Sequence, residues 1–141
     1  MSDAASRKAN RAARVRWRTR LRKVLPWAAG IYLLVAFSLT HVPLPQGPER
    51  IAYLDKAVHL AIFAGLSLLV AAWRTTRFDR PRKAAVITLV LCLTYAAVDE
   101  TTQIYIPNRS ADPKDFVADA VGTLIGLAAF FPLIRWWRRH A

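Results

Sequence analysis

Several residue types are scarce in this sequence, and each scarcity excludes a class of protein. There is one cysteine, Cys92, so no disulfide can form within the chain and a disulfide-stapled scaffold is excluded. Acidic residues number 9 against 21 lysines and arginines, which gives a net charge of +12. Hydrophobic residues make up 55% of the chain, too many for a disordered polyelectrolyte. A chain that is both basic and apolar indicates nucleic-acid binding or a membrane protein with its charges kept apart from its apolar runs.

Four apolar runs occupy most of the chain after its basic beginning. The predicted spans cover about residues 26–42, 53–73, 84–105 and 115–136, within one domain of residues 26–136. Each run approaches the length of about 20 residues that a helix needs to cross a bilayer. The runs are apolar around the whole helix circumference, which disfavours a soluble bundle. We therefore predict an all-α polytopic membrane bundle of four transmembrane helices, in which Gly122 and Gly126 allow close helix contact.

Most basic residues fall in three segments that four membrane crossings place on one side. They are the basic segment 1–25, the connection 74–83 and the carboxyl-terminal end with its tail 137–141. The positive-inside rule makes that side cytoplasmic, so we expect a bacterial cytoplasmic-membrane protein with both termini in the cytoplasm. The positive charge is then a property of the topology. We expect segment 1–25 to bind anionic lipid headgroups and not nucleic acid, because no base-reading motif accompanies it.

Polar side chains lie at the opposite, outer ends of three predicted spans. They are Asp55, Lys56 and His59 in the second span, Asp99, Glu100 and Gln103 in the third, and Asp115 and Asp119 in the fourth. An ionisable group costs about 2.5 to 3.5 kcal/mol at the centre of a membrane helix, so such groups are expected to face the bundle interior and to serve a function. We therefore predict one polar site near the outer surface.

Some of the acidic residues also have structural explanations. Asp112 precedes Pro113, which predicts a helix N-cap, and Asp115 can either complete a capping box or belong to the site. Asp99 and Glu100 lie at a helix carboxyl end, where a carboxylate opposes the helix dipole. These two residues therefore have the weakest structural explanation.

For a catalytic site, acid–base chemistry is the reaction type that these side chains suit. Asp99, Glu100 and His59 are the candidate catalytic residues. The spacing of four places Asp55 on the same helix face as His59, where it can orient the imidazole ring. Arg109 is either a clamp for a phosphate or carboxylate, or a counter-charge for the acids.

A metal site is a further alternative, since imidazole and carboxylates are metal ligands. Its members would be His59, Asp55, Asp99 and Asp119. Their spacing matches no established metal-binding motif. The sequence therefore predicts no metal and no cofactor.

The order and spacing of these residues resemble the VanZ-like family of small bacterial membrane proteins. The motifs are Asp55-Lys56-x-x-His59, Asp99-Glu100-x-x-Gln103, Pro107-x-Arg109 and Asp115-x-x-x-Asp119-x-x-Gly122, within about residues 27–134. The resemblance implies a compact helical membrane domain, and the family's name member is associated with low-level teicoplanin resistance. Asp119 departs from the family pattern, which usually has Asn there. A carboxylate at this position could stay protonated like an amide or alter the ligand preference.

Two classes of function follow from the sequence. In the first, an outer polar pocket binds a cell-envelope component such as a lipid-linked headgroup, and by a further hypothesis modifies it. The ligand contacts would come from Asp55, Lys56, Gln103, Arg109, Asp115 and Asp119. In the second, the protein is a non-catalytic scaffold or regulator whose polar network fixes helix packing. Transport is disfavoured by the four short spans, and the ligand, any enzymatic activity and the oligomeric state stay open.

Overall fold

The computed structural model describes residues 2–43, 50–77 and 80–140, and these ranges contain four α-helices and no strand. The helices are α1 (Ser2–Thr40), α2 (Arg50–Arg77), α3 (Pro81–Gln103) and α4 (Pro113–His140). Each is long and apolar enough to cross a membrane, over Val15–Thr40, Tyr53–Arg77, Pro81–Gln103 and Pro113–Trp137. The predicted all-α fold is confirmed, and the chain is a multi-pass membrane protein.

The helix ends differ from the predicted spans for local reasons. α1 runs without a break from the basic segment into the first span, with Pro26 inside the helix. α3 begins at Pro81, ahead of the predicted residue 84, because proline suits the first helical position and Arg80 before it is extended. α3 ends at Gln103, after which the backbone makes turns through residues 104–108.

The first turn of α4 is capped as the sequence predicted. Oδ1 of Asp112 accepts a hydrogen bond from the Lys114 backbone N–H at 2.9 Å, and Pro113 takes the first helical position. The capping-box alternative for Asp115 is wrong, because its carboxylate binds a side chain of α2. The Asp112 backbone N–H donates instead to Oε2 of Glu100 at 3.0 Å. The start of α4 is thereby joined to the end of α3.

α2 and α4 make the most extensive helix contact of the bundle. Gly122 and Gly126 of α4 allow this approach, since a Cβ atom at either position would overlap a backbone carbonyl of α2, at Leu60 and Ala64 respectively. The predicted close contact within the bundle is confirmed. Cys92 lies in the apolar core beside α2.

The distribution of polar and apolar surface is the reverse of that in a water-soluble protein. Large apolar side chains are exposed on all four helices, for example Leu34 (72%), Leu54 (65%), Val86 (62%) and Leu124 (55%). Charged and polar side chains are buried between the helices instead. This arrangement suits a bundle surrounded by lipid, in which polar groups face the interior.

Candidate functional site

Polar side chains from all four helices and from the α3–α4 connection meet at one end of the bundle. At this end α1 and α3 finish and α2 and α4 begin. We call this group the polar cluster. Its members are Thr40, His41, Asp55, Lys56, His59, Asp99, Glu100, Gln103, Arg109, Asp112, Asp115 and Asp119. The structure thus brings together all the residues that the sequence proposed for the site.

His59 and Asp119 form a fully buried pair between α2 and α4. Nδ1 of His59 lies 2.9 Å from Oδ1 of Asp119, and both side chains are 0% exposed. The close approach of the helices at Gly122, about one turn after Asp119, allows this contact. The expectation that Asp55 would orient the ring is wrong, because Asp119 makes the hydrogen bond. An asparagine oxygen at this position could accept the same bond, so the departure from the family pattern preserves the contact.

Lys56 joins the beginnings of α2 and α4. Its Nζ donates to Oδ1 of Asp115 at 2.9 Å and to Oδ2 of Asp112 at 3.0 Å. The Lys114 backbone N–H and the Lys56 ammonium together hold the pKa of Asp112 below its usual range. Since Lys56 is about a quarter exposed and Asp115 is buried, the pair lies at the rim of the polar cluster.

Asp99 connects α3 to α1. The Thr40 hydroxyl donates to Oδ1 of Asp99 at 2.9 Å, and Nε2 of Gln103 donates to Oδ2 at 2.9 Å. His41 completes this side, with Nδ1 at 3.7 Å from Oδ1 of Asp99 and Nε2 at 3.0 Å from the Thr102 hydroxyl. Both oxygens of a wholly buried carboxylate are therefore held in place.

The Arg109 guanidinium binds groups of the protein itself. It faces the Asp55 carboxylate with two contacts, at 3.3 and 3.4 Å, and Nη1 also donates to Oε1 of Gln103 at 3.2 Å. Nε donates to the Val42 backbone carbonyl at 2.9 Å. These contacts match the counter-charge alternative rather than the anion clamp. They also fasten the α3–α4 connection to α2 and to the end of α1.

Three buried polar atoms of the polar cluster have no hydrogen-bond partner among the described residues. They are Nε2 of His59, Oε1 of Glu100 and Oδ2 of Asp119. The great majority of buried polar groups in proteins are paired, because an unpaired one costs about 1 to 3 kcal/mol. These atoms lie on three different helices, α2, α3 and α4.

Negative charge exceeds positive charge in the polar cluster. The carboxylates are Asp55, Asp99, Glu100, Asp112, Asp115 and Asp119, and the permanent cations are Lys56 and Arg109. Arg109 pairs with Asp55, and Lys56 with Asp112 and Asp115. Asp99, Glu100 and Asp119 have no lysine or arginine partner within the described part of the chain. Their surroundings favour a cation, a proton or a hydrogen-bond donor.

Two groups in the polar cluster have the geometry to hold a metal ion. One ligand atom each from His59, Asp99 and Glu100 lie within 4.8 Å of one another, and the same holds for Asp55, His59 and Asp115. The groups share the imidazole of His59. They differ from the set considered from the sequence, because Asp119 lies behind the ring at Nδ1.

Thr40 and His41 are members of the polar cluster that were not predicted from the sequence. The adjacent polar pair Thr40-His41 ends the first apolar run, and this was the available signal. A threonine ending a helix usually bonds to its own backbone, so nothing local distinguishes one that bonds to a distant carboxylate.

Comparison with known proteins gives one match. A family model described as VanZ/LLP1 matches residues 29–135, a range that contains every member of the polar cluster and most of the helical bundle. No curated protein and no solved structure matches this chain.

Proposed function

Because the chain belongs to the VanZ/LLP1 family and has four helices able to span a membrane, we propose that its polar cluster binds a component of the bacterial cell envelope. The ligand would be a polar headgroup, such as that of a lipid-linked molecule, that enters the end of the bundle. Hydroxyl or ammonium groups suit this site, because the excess carboxylates offer acceptors and negative charge. This chemistry differs from an anionic ligand clamped by Arg109, whose guanidinium already binds the protein.

The observation that carries the proposal is the set of unpartnered atoms at His59, Glu100 and Asp119. A network that served only to pack helices would gain most by satisfying every buried polar atom. Here most members of the polar cluster are paired, whereas His59, Glu100 and Asp119 each keep one buried polar atom without a partner among the described residues. Such atoms are suited to a ligand that completes their hydrogen bonds.

The proposal places the polar cluster on the extracytoplasmic side of the bacterial cytoplasmic membrane, with both termini in the cytoplasm. The basic residues at the other end of the bundle support this orientation. A Cys92→Ala background with Ser110→Cys should react with a membrane-impermeant maleimide on intact cells, whereas Arg80→Cys should react only after lysis. Both positions are exposed, so accessibility is matched. The reverse pattern would move the site to the cytoplasm.

The amino-terminal part of α1 would bind anionic lipid headgroups on the cytoplasmic side. Arg16, Arg20, Arg22 and Lys23 are exposed on this helix, as is Trp17, which suits a membrane interface. Each basic residue near an anionic surface contributes about 1 kcal/mol. Binding of a peptide of residues 2–23 to vesicles should require anionic lipid, and equal binding to neutral vesicles would contradict this proposal.

By a further hypothesis, the polar cluster also modifies the bound envelope component, through proton transfer. Glu100 would act as the acid or base, with His59 as its proton partner and Asp99 held alongside by Thr40 and Gln103. Under this hypothesis Glu100→Gln abolishes the modification while the ligand still binds. If Glu100→Gln and Asp99→Asn both leave the envelope phenotype intact, the enzymatic version is excluded.

The test of binding combines a cellular and a biochemical measurement. The chain is expressed in a teicoplanin-susceptible bacterium, because the family resemblance suggests a glycopeptide phenotype, and the purified protein is analysed by native mass spectrometry for a retained envelope component. Glu100→Gln and His59→Gln should remove the phenotype. If the cluster only binds the envelope component, both variants should retain less of it; if the cluster also modifies it, Glu100→Gln should retain the unmodified form. Asp112→Asn is the control, since it removes one charge at the rim and keeps the cap. Equal behaviour of all three variants would contradict the proposal.

A packing scaffold is the second candidate function, and the hydrogen bonds between helices favour it. Thr40–Asp99 joins α1 to α3, and His59–Asp119 joins α2 to α4. If packing is the role, Asp99→Asn and Asp119→Asn should lower protein abundance and thermal stability in proportion to any loss of phenotype. Loss of phenotype at unchanged stability would exclude this candidate.

A further inference from the structure

We propose that His59, Asp99 and Glu100 bind a divalent transition-metal ion, Zn²⁺ or Mn²⁺, at the centre of the polar cluster. The inference rests on the proposed function in that both use the same cluster. The ion would meet the headgroup there, and with His59 and Glu100 as its ligands it would replace the proton transfer between these two residues. One ring nitrogen of His59 and one carboxylate oxygen from each acid lie within 4.8 Å of one another. Ligands about 2.1 Å from a tetrahedral ion stand about 3.4 Å apart, so small side-chain rotations complete the site.

The imidazole of His59 is oriented as a metal ligand. Nδ1 lies 2.9 Å from Oδ1 of Asp119, and in the ionised form of this carboxylate, which can only accept, Nδ1 of a neutral imidazole carries the proton. Nε2 then has the lone pair, and this atom is buried with no hydrogen-bond partner among the described residues. Metal-binding histidines commonly donate their second ring N–H to a carboxylate in this way.

Both carboxylate ligands are likewise held from behind. Oε2 of Glu100 accepts the Asp112 backbone N–H at 3.0 Å, which leaves the buried Oε1 without a partner in the described ranges. Asp99 receives one hydrogen bond at each oxygen, from Thr40 and Gln103, and each oxygen retains a second lone pair. All three ligands are therefore oriented by outer hydrogen bonds, as in metal sites generally.

Charge distinguishes this group from its neighbour, Asp55, His59 and Asp115. Arg109 pairs with Asp55, and Lys56 pairs with Asp115 as well as Asp112, so each carboxylate of the neighbouring group already has a permanent cation beside it. Asp99 and Glu100 have no lysine or arginine partner in the parts of the chain that the structure describes. Buried carboxylates are normally paired or coordinate a metal, and a divalent ion would compensate these two.

The ligand types select the class of ion. One imidazole nitrogen with carboxylate oxygens suits Zn²⁺ or Mn²⁺, whereas Ca²⁺ and Mg²⁺ prefer oxygen ligands alone. A copper(I) site would require sulfur ligands, and Cys92 is packed in the apolar core.

The test uses the full-length protein in detergent, stripped with a chelator and titrated calorimetrically with Zn²⁺ and then with Mn²⁺, with no lipid ligand added. We expect one ion per chain. Glu100→Gln and Asp99→Asn should each weaken metal binding. Loss of a group that only orients a ligand weakens metal binding by about 10- to 100-fold, so loss of a ligand itself should weaken it at least as much. Asp55→Asn and Asp115→Asn are the matched controls, since each removes one carboxylate of the neighbouring group, and they should change affinity little.

Three results would overturn the inference. They are the absence of saturable binding, equal weakening in all four variants, or weakening only by Asp55→Asn and Asp115→Asn. If a ligand variant does not fold, X-ray absorption of the zinc-loaded wild-type protein decides, and a shell without imidazole or with sulfur contradicts the site. If no metal binds while a headgroup is still retained, the metal site is wrong and the proposed function stands. If metal binds but no headgroup is retained, the proposed function is wrong and the metal site stands.

Discussion

Substitution of Gly122 by alanine tests the helix contact on which the polar cluster depends. A Cβ atom at Gly122 would overlap the Leu60 carbonyl oxygen and lie 3.0 Å from the Leu60 carbonyl carbon and Cα. Carbon atoms in favourable contact are about 3.5 to 4.0 Å apart, so α4 must move away from α2. Because the obstruction is backbone, no side-chain rotation can relieve it. Overpacking of this kind costs about 1 to 3 kcal/mol.

Gly30→Ala is the matched control for this substitution. A Cβ atom there meets nothing within 4 Å, and the position is also inside a helix. Both changes gain about 1 kcal/mol of intrinsic helix propensity, so the difference between the two variants isolates the packing cost. Thermal unfolding in detergent should therefore show Gly122→Ala less stable than Gly30→Ala by about 1 to 3 kcal/mol. Equal stability of the two variants would refute the close packing of α2 and α4.

Other predictions concern the polar contacts and are measured by the same unfolding assay. Thr40→Val should cost about 1.5 to 3 kcal/mol, because it removes a hydrogen bond to a buried carboxylate, whereas exposed Ser38→Ala should be nearly neutral. Asp112→Ala should cost about 0.5 to 2 kcal/mol and Asp112→Asn less, since asparagine also caps helices. Folding lowers the pKa of Asp112, so the ionised carboxylate stabilises the folded protein relative to the Asp112→Asn variant. This difference in stability is complete above the unfolded pKa of about 3.9, and it should disappear as the pH falls through the folded pKa. Arg109→Lys should lower stability, because an ammonium cannot reproduce the two contacts of the guanidinium with the Asp55 carboxylate. An unchanged unfolding midpoint would show that these contacts do not stabilise the fold.

The positions of the polar residues could be predicted because they depend on distance along a helix. Each apolar run has a length close to the bilayer thickness, so a carboxylate at its end must lie near one membrane surface. The α4 cap was predicted for a similar reason, since Asp112 and Pro113 act on the backbone beside them. The ends of α2, α3 and α4 lie within a few residues of the predicted spans, and Pro81 and the turns after Gln103 decide those of α3, whereas α1 begins far ahead of the predicted residue 26.

The partners within the polar cluster could not be predicted, because they depend on how the helices are rotated about their axes. Asp55 and His59 share a face at a spacing of four, yet His59 bonds to Asp119 of α4. Arg109 instead pairs with Asp55, a residue 54 positions earlier in the chain. Spacing can show that two side chains share a face, but a neighbouring helix can offer either of them a better partner.

The sequence by itself determined the four membrane helices, the end of the bundle that carries the acids, and the family, because length, hydropathy and motif order are local properties. Tertiary structure alone decided which carboxylates are neutralised and which polar atoms stay unpartnered. The physical reason lies at Gly122 and Gly126, where the absence of Cβ atoms lets α4 meet the backbone of α2. That approach brings Asp119 to the ring of His59, and one ring nitrogen of His59 lies within 4.8 Å of a carboxylate oxygen of Asp99 and one of Glu100.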